Sequence, residues 1–139
     1  MVHRSTLVAE LENRRSELMV IVAGYADKMD SFLNVNQGLA SRLSNEIVFE
    51  DYTDEELLQI FLYMVTQKHL KLEKGVLEQV GKLITQKRQQ VKDFGNARGV
   101  RNLMERIEMK KNSRVAALSR SGESISNQDI LTIKVEDVI

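Results

Sequence analysis

Two arginines, Arg98 and Arg101, fall three residues apart in Asp93-Phe94-Gly95-Asn96-Ala97-Arg98-Gly99-Val100-Arg101-Asn102-Leu103, just after a glycine-marked turn. The apolar spacing that follows is helical. Both guanidinium groups therefore fall in the first turns of a helix, beside N–H groups with no carbonyl to donate to. That combination suits an anion, above all a phosphate. A third arginine, Arg42, sits far upstream in Asn36-Gln37-Gly38-Leu39-Ala40-Ser41-Arg42-Leu43, between two apolar strand-like runs. Together the two segments read as parts of a nucleotide-binding machine.

The elements that must position these residues follow from periodicity. Thr6 to Arg15 reads as a helix with Leu7 and Leu11 on one face. Leu18-Met19-Val20-Ile21-Val22-Ala23 is a continuous apolar run that ends at Gly24, the pattern of a strand buried on both faces. Asp27 to Leu33 predicts a short helix, and Ile47-Val48-Phe49 a second short strand. Thr53-Asp54-Glu55-Glu56 has the spacing of a capping box. The helix after it places Leu57, Ile60, Phe61, Met64 and Val65 on one face. A second helix covers about Lys74 to Gln90, with Val76, Val80, Leu83 and Ile84 inward. A third starts near Asn96 and runs toward Leu118, with Val100, Leu103, Ile107, Val115 and Leu118 as its stripe. Ser119 to Asn127 is a polar loop, Ile130 to Lys134 a short strand, and Glu136 to Ile139 a final turn. The expected fold is mainly α with a partial α/β layer over residues 1–52, followed by a helical domain over 53–139.

Composition narrows the chemistry. The 139 residues balance 20 Lys and Arg against 20 Asp and Glu, so no net charge draws the chain to nucleic acid or acidic membranes. There is no cysteine, which removes disulfides, thiolate zinc sites and a cysteine nucleophile. The two histidines, His3 and His69, are far apart in sequence, so no histidine metal centre is expected. No apolar run has the length of a membrane span, and Met1-Val2-His3-Arg4-Ser5 lacks a signal-peptide core. The default location is cytoplasmic. Proline is absent, as suits a mainly helical chain.

The whole chain resembles the C-terminal half of AAA+ ATPases, in the branch of red-type Rubisco activase (CbbX, also CfxQ) and stage V sporulation protein K. The matching segments are Glu12-Asn13-Arg14-Arg15, Val20-Ile21-Val22-Ala23-Gly24-Tyr25, Lys28-Met29-Asp30-Ser31-Phe32-Leu33, Gly38-Leu39-Ala40-Ser41-Arg42-Leu43, Phe49-Glu50-Asp51-Tyr52, Phe94 through Leu103, and Asp129-Ile130-Leu131-Thr132-Ile133. The resemblance implies an arginine finger at Arg42, reaching the ATP of the neighbouring subunit. It implies sensor 2 at Arg98, with Arg101 as second candidate or as an anchor between lid and large domain. It places sensor 1 at Gly24-Tyr25, where Tyr25 offers a hydroxyl in place of the usual Asn, Thr or Ser. It also implies a parent that uses ATP and Mg2+, assembles with identical subunits into a ring, typically a hexamer, and remodels a protein client.

The sequence departs from the pattern at decisive points. No Gly-x-x-x-x-Gly-Lys-[Ser/Thr] phosphate loop occurs, nor an acidic Walker B strand. The chain is therefore expected to be a fragment, with no nucleotide held tightly and no ATP hydrolysis of its own. Gln37 and Glu50 replace frequent prolines, and Ala40 a frequent second arginine. In related large domains the two strands found here flank a strand that is missing. Residues 1–52 are expected to rearrange, pair with another chain or be poorly ordered, with Leu18–Ala23 offering bare edges and apolar faces. Residues 53–139 should fold alone. The alternative reading is a non-enzymatic adaptor, in which the lid survives as an interaction module.

Blander roles are also assigned. Arg106, Lys110, Lys111, Arg114 and Arg120 read as a solvated helix end that complements the dipole, since no aromatics interleave to favour nucleic acid. Asp54, Glu55 and Glu56 serve a helix start, and His69 is expected to be exposed. Met19, Met29, Met64 and Met104 read as core filling.

Overall fold

The computed structural model describes residues 4–14, 16–43, 45–90 and 94–139, and the backbone alone over residues 4–8. The expectations for His3, Arg15 and Asp93, and for the side chain of Leu7, lie outside the described residues. The chain divides into two compact units, Met1–Glu50 and Asp51–Ile139.

The first unit holds α1 (Arg4–Asn13), α2 (Ala26–Val35) and α3 (Gln37–Ala40). α2 and α3 pack against each other, and Leu39 is buried. The two strands expected here do not form among the described residues. Residues 18–25 and 45–50 carry no regular structure, Ile21 is 83% exposed and Phe49 90%. The physical reason is pairing. A strand buried on both faces needs neighbours on both edges and layers above and below, and the described residues provide none. The apolar side chains stay outside, including Met19, read from sequence as core and 86% exposed.

The second unit holds α4 (Asp54–Gln67), β1 (Lys71–Leu72), α5 (Val76–Gln90), α6 (Asn96–Arg120), α7 (Asn127–Leu131), β2 (Thr132–Ile133) and α8 (Val135–Val138). The expected helical stripes meet in one core. Leu57, Phe61 and Val65 of α4, Val76, Val80 and Ile84 of α5, and Val100, Leu103, Met104 and Ile107 of α6 are all buried. Ile60, Met64 and Leu83 pack at its margin. Val115 and Leu118, in the last turns of α6, are only partly buried.

The ends of α4 are closed at both termini. Thr53 Oγ1 accepts from Glu56 N at 3.2 Å, and Glu56 Oε2 accepts from Thr53 N at 2.8 Å. At the other end His69 takes φ +54, Leu70 N donates to Val65 O and His69 N to Thr66 O. This paired termination turns the chain back and sets Leu70 against the core. His69 is exposed, as expected.

The chain's last residues fasten the bundle. β1 and β2 pair in parallel, Lys71 opposite Thr132 and Leu72 opposite Ile133. Ile130 and Leu131, expected in the strand, close the helical turn α7 instead, because Ser126 and Asp129 form a second capping box. β2 begins only at Thr132. α8 supplies the expected final turn.

The basic end of α6 is corrected. Lys111 is buried and its Nζ donates to Ile130 O at 2.7 Å. Arg114 forks onto the buried Asp137, Nε to Oδ1 at 3.0 Å and Nη2 to Oδ2 at 2.9 Å, and Nη2 also donates to Thr132 O. The Asp137 hydrogen bonds hold the Arg114 guanidinium further above its ordinary value, against the pull of burial. Lys110 Nζ bonds Ile139 O. These cations lock α7, β2 and α8 onto α6. The stems of Lys and Arg can cover apolar surface while the heads meet carbonyls, so a charged residue on the inner face need not be solvated.

Candidate phosphate-reading site at the start of α6

The turn into α6 is built from small residues. Gly95, the N-cap, takes φ +80, a left-handed conformation that glycine adopts without a Cβ penalty. Gly99 is buried one turn on. A Cβ there would lie 2.1 Å from Phe94 O and 2.8 Å from the Phe94 ring. Only glycine lets the Phe94 backbone run this close to α6, and Phe94 then packs against the core.

What emerges is a bare helix start. Gly95 provides no side-chain cap, and the first turn contains no acidic residue. Arg98 and Arg101 are both exposed, on the side away from Val100, Leu103 and Met104. Neither guanidinium has a hydrogen-bond or ion-pair partner among the described residues. A cation at the N-terminal end of a helix is unfavourable against the positive end of the macrodipole. Two such cations without a counter-ion make the place attractive to an added anion.

Asn96 completes the turn. It takes φ +49, which few residues other than glycine tolerate. Its Nδ2 donates to Asp51 Oδ1 at 2.5 Å, and its Oδ1 accepts from Tyr52 N at 3.1 Å. Sequence reasoning missed this contact and the reason for Gly99. The four-residue spacing of the two glycines signals a close backbone approach at Gly99, whereas nothing local signals the contact to Asp51, 45 positions away.

The remaining candidates lie in the first unit. Arg42 follows α3 and is held within its own chain. Nε and Nη2 donate to Glu12 Oε2 at 2.9 and 2.6 Å, and Nη1 to Gly38 O at 2.7 Å. Tyr25 is the N-cap residue of α2, is 71% exposed, and makes no side-chain cap. The structure thus brings Arg98 with Arg101, and Arg42 with Glu12. Glu12 stands in a segment that carried the resemblance, yet it was not singled out. No group of three or more His, Cys, Asp or Glu suited to a metal occurs among the described residues.

Residues 53–139 match the model of the AAA lid domain. The chain belongs to that family. Along most of its length it is also similar to larger proteins. It is 37% identical to a protein CfxQ homolog of Galdieria sulphuraria over 137 residues, 96% of this chain and 43% of that protein. It is 38% identical to the chloroplastic ribulose bisphosphate carboxylase/oxygenase activase of Cyanidioschyzon merolae, over 96% of this chain and 44% of that one. It is 35% identical to the ESX-3 secretion system protein EccA3 of Mycolicibacterium smegmatis, over 96% of this chain and 24% of that protein. The chain spans less than half the length of these relatives. A mainly helical chain with an AAA lid agrees with the fold class read from sequence. No helix among the described residues is long and apolar enough to cross a membrane.

Proposed function

We propose that the chain supplies the distal part of a ring-forming AAA+ ATPase that remodels a protein client in the cytoplasm. In this reading residues 1–52 belong to the large α/β domain and residues 53–139 form its lid. Arg98 is sensor 2, meeting the phosphates of the nucleotide bound by its own subunit, with Arg101 beside it. Arg42 is the arginine finger, directed at the ATP of the neighbouring subunit. Tyr25 occupies the sensor 1 position. The parent takes ATP and Mg2+. Its phosphate loop and acidic magnesium-holding strand are contributed by residues that this sequence does not contain.

One observation carries the reading: two exposed guanidinium groups, unpaired among the described residues, open an uncapped helix inside the family match. Their roles are separable. A fixed cation in trans stabilises charge that develops on the transferring phosphoryl and acts on turnover. A cation from the lid holds the ground-state phosphates as well and acts on affinity. Arg42 in its present hydrogen bonds must exchange Glu12 for a phosphate to act. That exchange is feasible, because an exposed ion pair is worth only about 0–1 kcal/mol.

The test is a chimera carrying this chain in place of the matched part of the Cyanidioschyzon activase. ATP turnover by the chimera is expected to fall by about 10³-fold or more with Arg42→Ala. Arg98→Gln should chiefly weaken nucleotide binding. Robust ATP turnover by the purified 139-residue chain, sensitive to Arg42→Ala, would refute the reading. The adaptor reading gains if the chimera turns over ATP equally well with both arginines replaced.

A further inference from the structure

Asp51 and Tyr52 are the first residues of the second unit, and they enter α4 through the Thr53 cap. One side chain fastens them to the start of α6. The Asn96 amide uses both of its ends, donating to the Asp51 carboxylate and accepting from the Tyr52 N–H. That double engagement fixes which way the amide faces. It also explains why Asn stands at a position of φ +49, where glycine would meet the backbone requirement at lower steric cost. Asn96 lies between the left-handed Gly95 and Arg98, which is unpaired among the described residues, so the side chain that grips the segment entering α4 belongs to the turn that carries the guanidinium.

We propose that Asn96 is a positioning residue that links occupation of the phosphate site at Arg98 to the placement of the Asp51–Tyr52 segment, through which the two units are joined. The proposal rests on the phosphate reading of Arg98 given above. Its physics is preorganisation. While Asp51 and Tyr52 hold the Asn96 amide, the Gly95–Asn96 turn cannot relax, and the first N–H groups of α6 and Arg98 are ready for an anion. Linkage makes the effect reciprocal: an anion that orders this turn tightens the grip on Asp51 and Tyr52 by the same factor. Anion occupancy at the start of α6 is then felt at the Asp51–Tyr52 segment without any contact from the anion to that segment.

The experiment is a titration of the 139-residue chain with inorganic triphosphate, followed by NMR at the Arg98 Nε–H and the Tyr52 amide. In the unsubstituted chain both signals are expected to move with one affinity, and Arg98→Gln should abolish both shifts. Asn96→Gly keeps the left-handed backbone and loses the clamp. Asp51→Ala loses it from the other end. Each is expected to weaken triphosphate binding about fivefold or more, and Asn96→Gly to remove the Tyr52 response. Asp51→Asn keeps an oxygen for Asn96 to donate to, and should bind as well as the unsubstituted chain or better. Simple charge repulsion predicts the opposite pattern, with Asp51→Ala and Asp51→Asn equally tighter. That pattern overturns the clamp. So does an Arg98 shift without a Tyr52 shift in the unsubstituted chain, which leaves the phosphate reading standing. Absence of any Arg98 shift overturns the phosphate reading and the linkage with it.

Discussion

The helices α4 and α6 begin in opposite ways. α4 opens on Thr53 with a complete capping box, three acidic residues in its first turn, and Asp54 gripped by Thr85 Oγ1 and Arg88 Nη1 from α5. Every feature lowers the free energy of the folded chain. α6 opens on Gly95 with no side-chain cap and no acid in its first turn, and presents Arg98 and Arg101 to solvent. Each of those features gives up stability. A Glu in the first turn would restore part of it, whereas the φ of +80 at Gly95 suits glycine rather than a Ser or Asp cap. The two helices pack on each other in one core, so the difference is not a matter of burial or environment at large. A helix start optimised for folding sits beside one left open, and the open one carries the cations.

Substitutions at the two starts should therefore behave in opposite ways. The largest effect is expected at Gly99. An added methyl 2.1 Å from Phe94 O forces the backbone of the turn away from α6. Gly99→Ala should lower the unfolding free energy by about 3 kcal/mol, read as a shift in the urea midpoint at unchanged slope. It should also displace Arg98, so triphosphate binding falls with stability. Next comes Thr53→Ala, which removes one half of the capping box and should cost about 1 kcal/mol. Its effect on anion binding should be smaller than that of Asp51→Ala, because the Asn96 amide keeps both of its partners.

The helical bundle was legible in the sequence because its signals are local. The Thr53–Glu56 spacing, the apolar stripes and the glycine before Asn96 each act within a turn or two, and each produced the element that it predicts. The strands at Leu18–Ala23 and Ile47–Phe49 were not reliable. A strand is completed by partners, and an apolar run carries no information on whether they are present. The basic end of α6 misled for a related reason. Lys111 and Arg114 look solvated on a helical wheel, and only the return of α7, β2 and α8 places Ile130 O, Thr132 O and Asp137 beside them. At the candidate site the arginines were visible by type and spacing. Their clamps were not, because Asn96–Asp51 and Arg42–Glu12 join residues 45 and 30 positions apart.

A sharper separation comes from Arg98→Glu. The change places a carboxylate in the first turn of α6, where the macrodipole favours it, and removes a cation that the dipole opposes. Thermal unfolding of the chain should rise, by an amount equivalent to about 0.5 kcal/mol. Triphosphate binding should vanish. A variant that gains stability while losing its ligand is the signature of a site kept open against the demands of folding. A loss of stability instead would show that Arg98 holds the bundle together, and α6 would then be an ordinary helix start with a weak cap.

The smallest effect separates the two starts by pH. Hydrogen bonds from Thr85 and Arg88 hold the Asp54 carboxyl below its ordinary value. A group whose folded value is depressed adds stability that is complete above its unfolded value, near 3.9, and is lost as pH falls through the folded one. Asp54→Asn should therefore be less stable than the unsubstituted chain at pH 7, with the gap closing as the pH drops below about 4. Glu78 beside Lys82 and Asp129 beside Ser126 are depressed too, with the same sign, so acid unfolding as a whole belongs to several carboxyls. The difference between the two chains isolates Asp54. Because Asp54 is a third exposed, the gap should be small and should shrink further in added salt. At the start of α6 no carboxylate pairs with Arg98 among the described residues, so Arg98→Gln should shift stability by the same amount at pH 7 as at pH 4. A gap for Arg98→Gln that closed in acid would reveal a carboxylate partner for Arg98 and remove the contrast on which the open site depends.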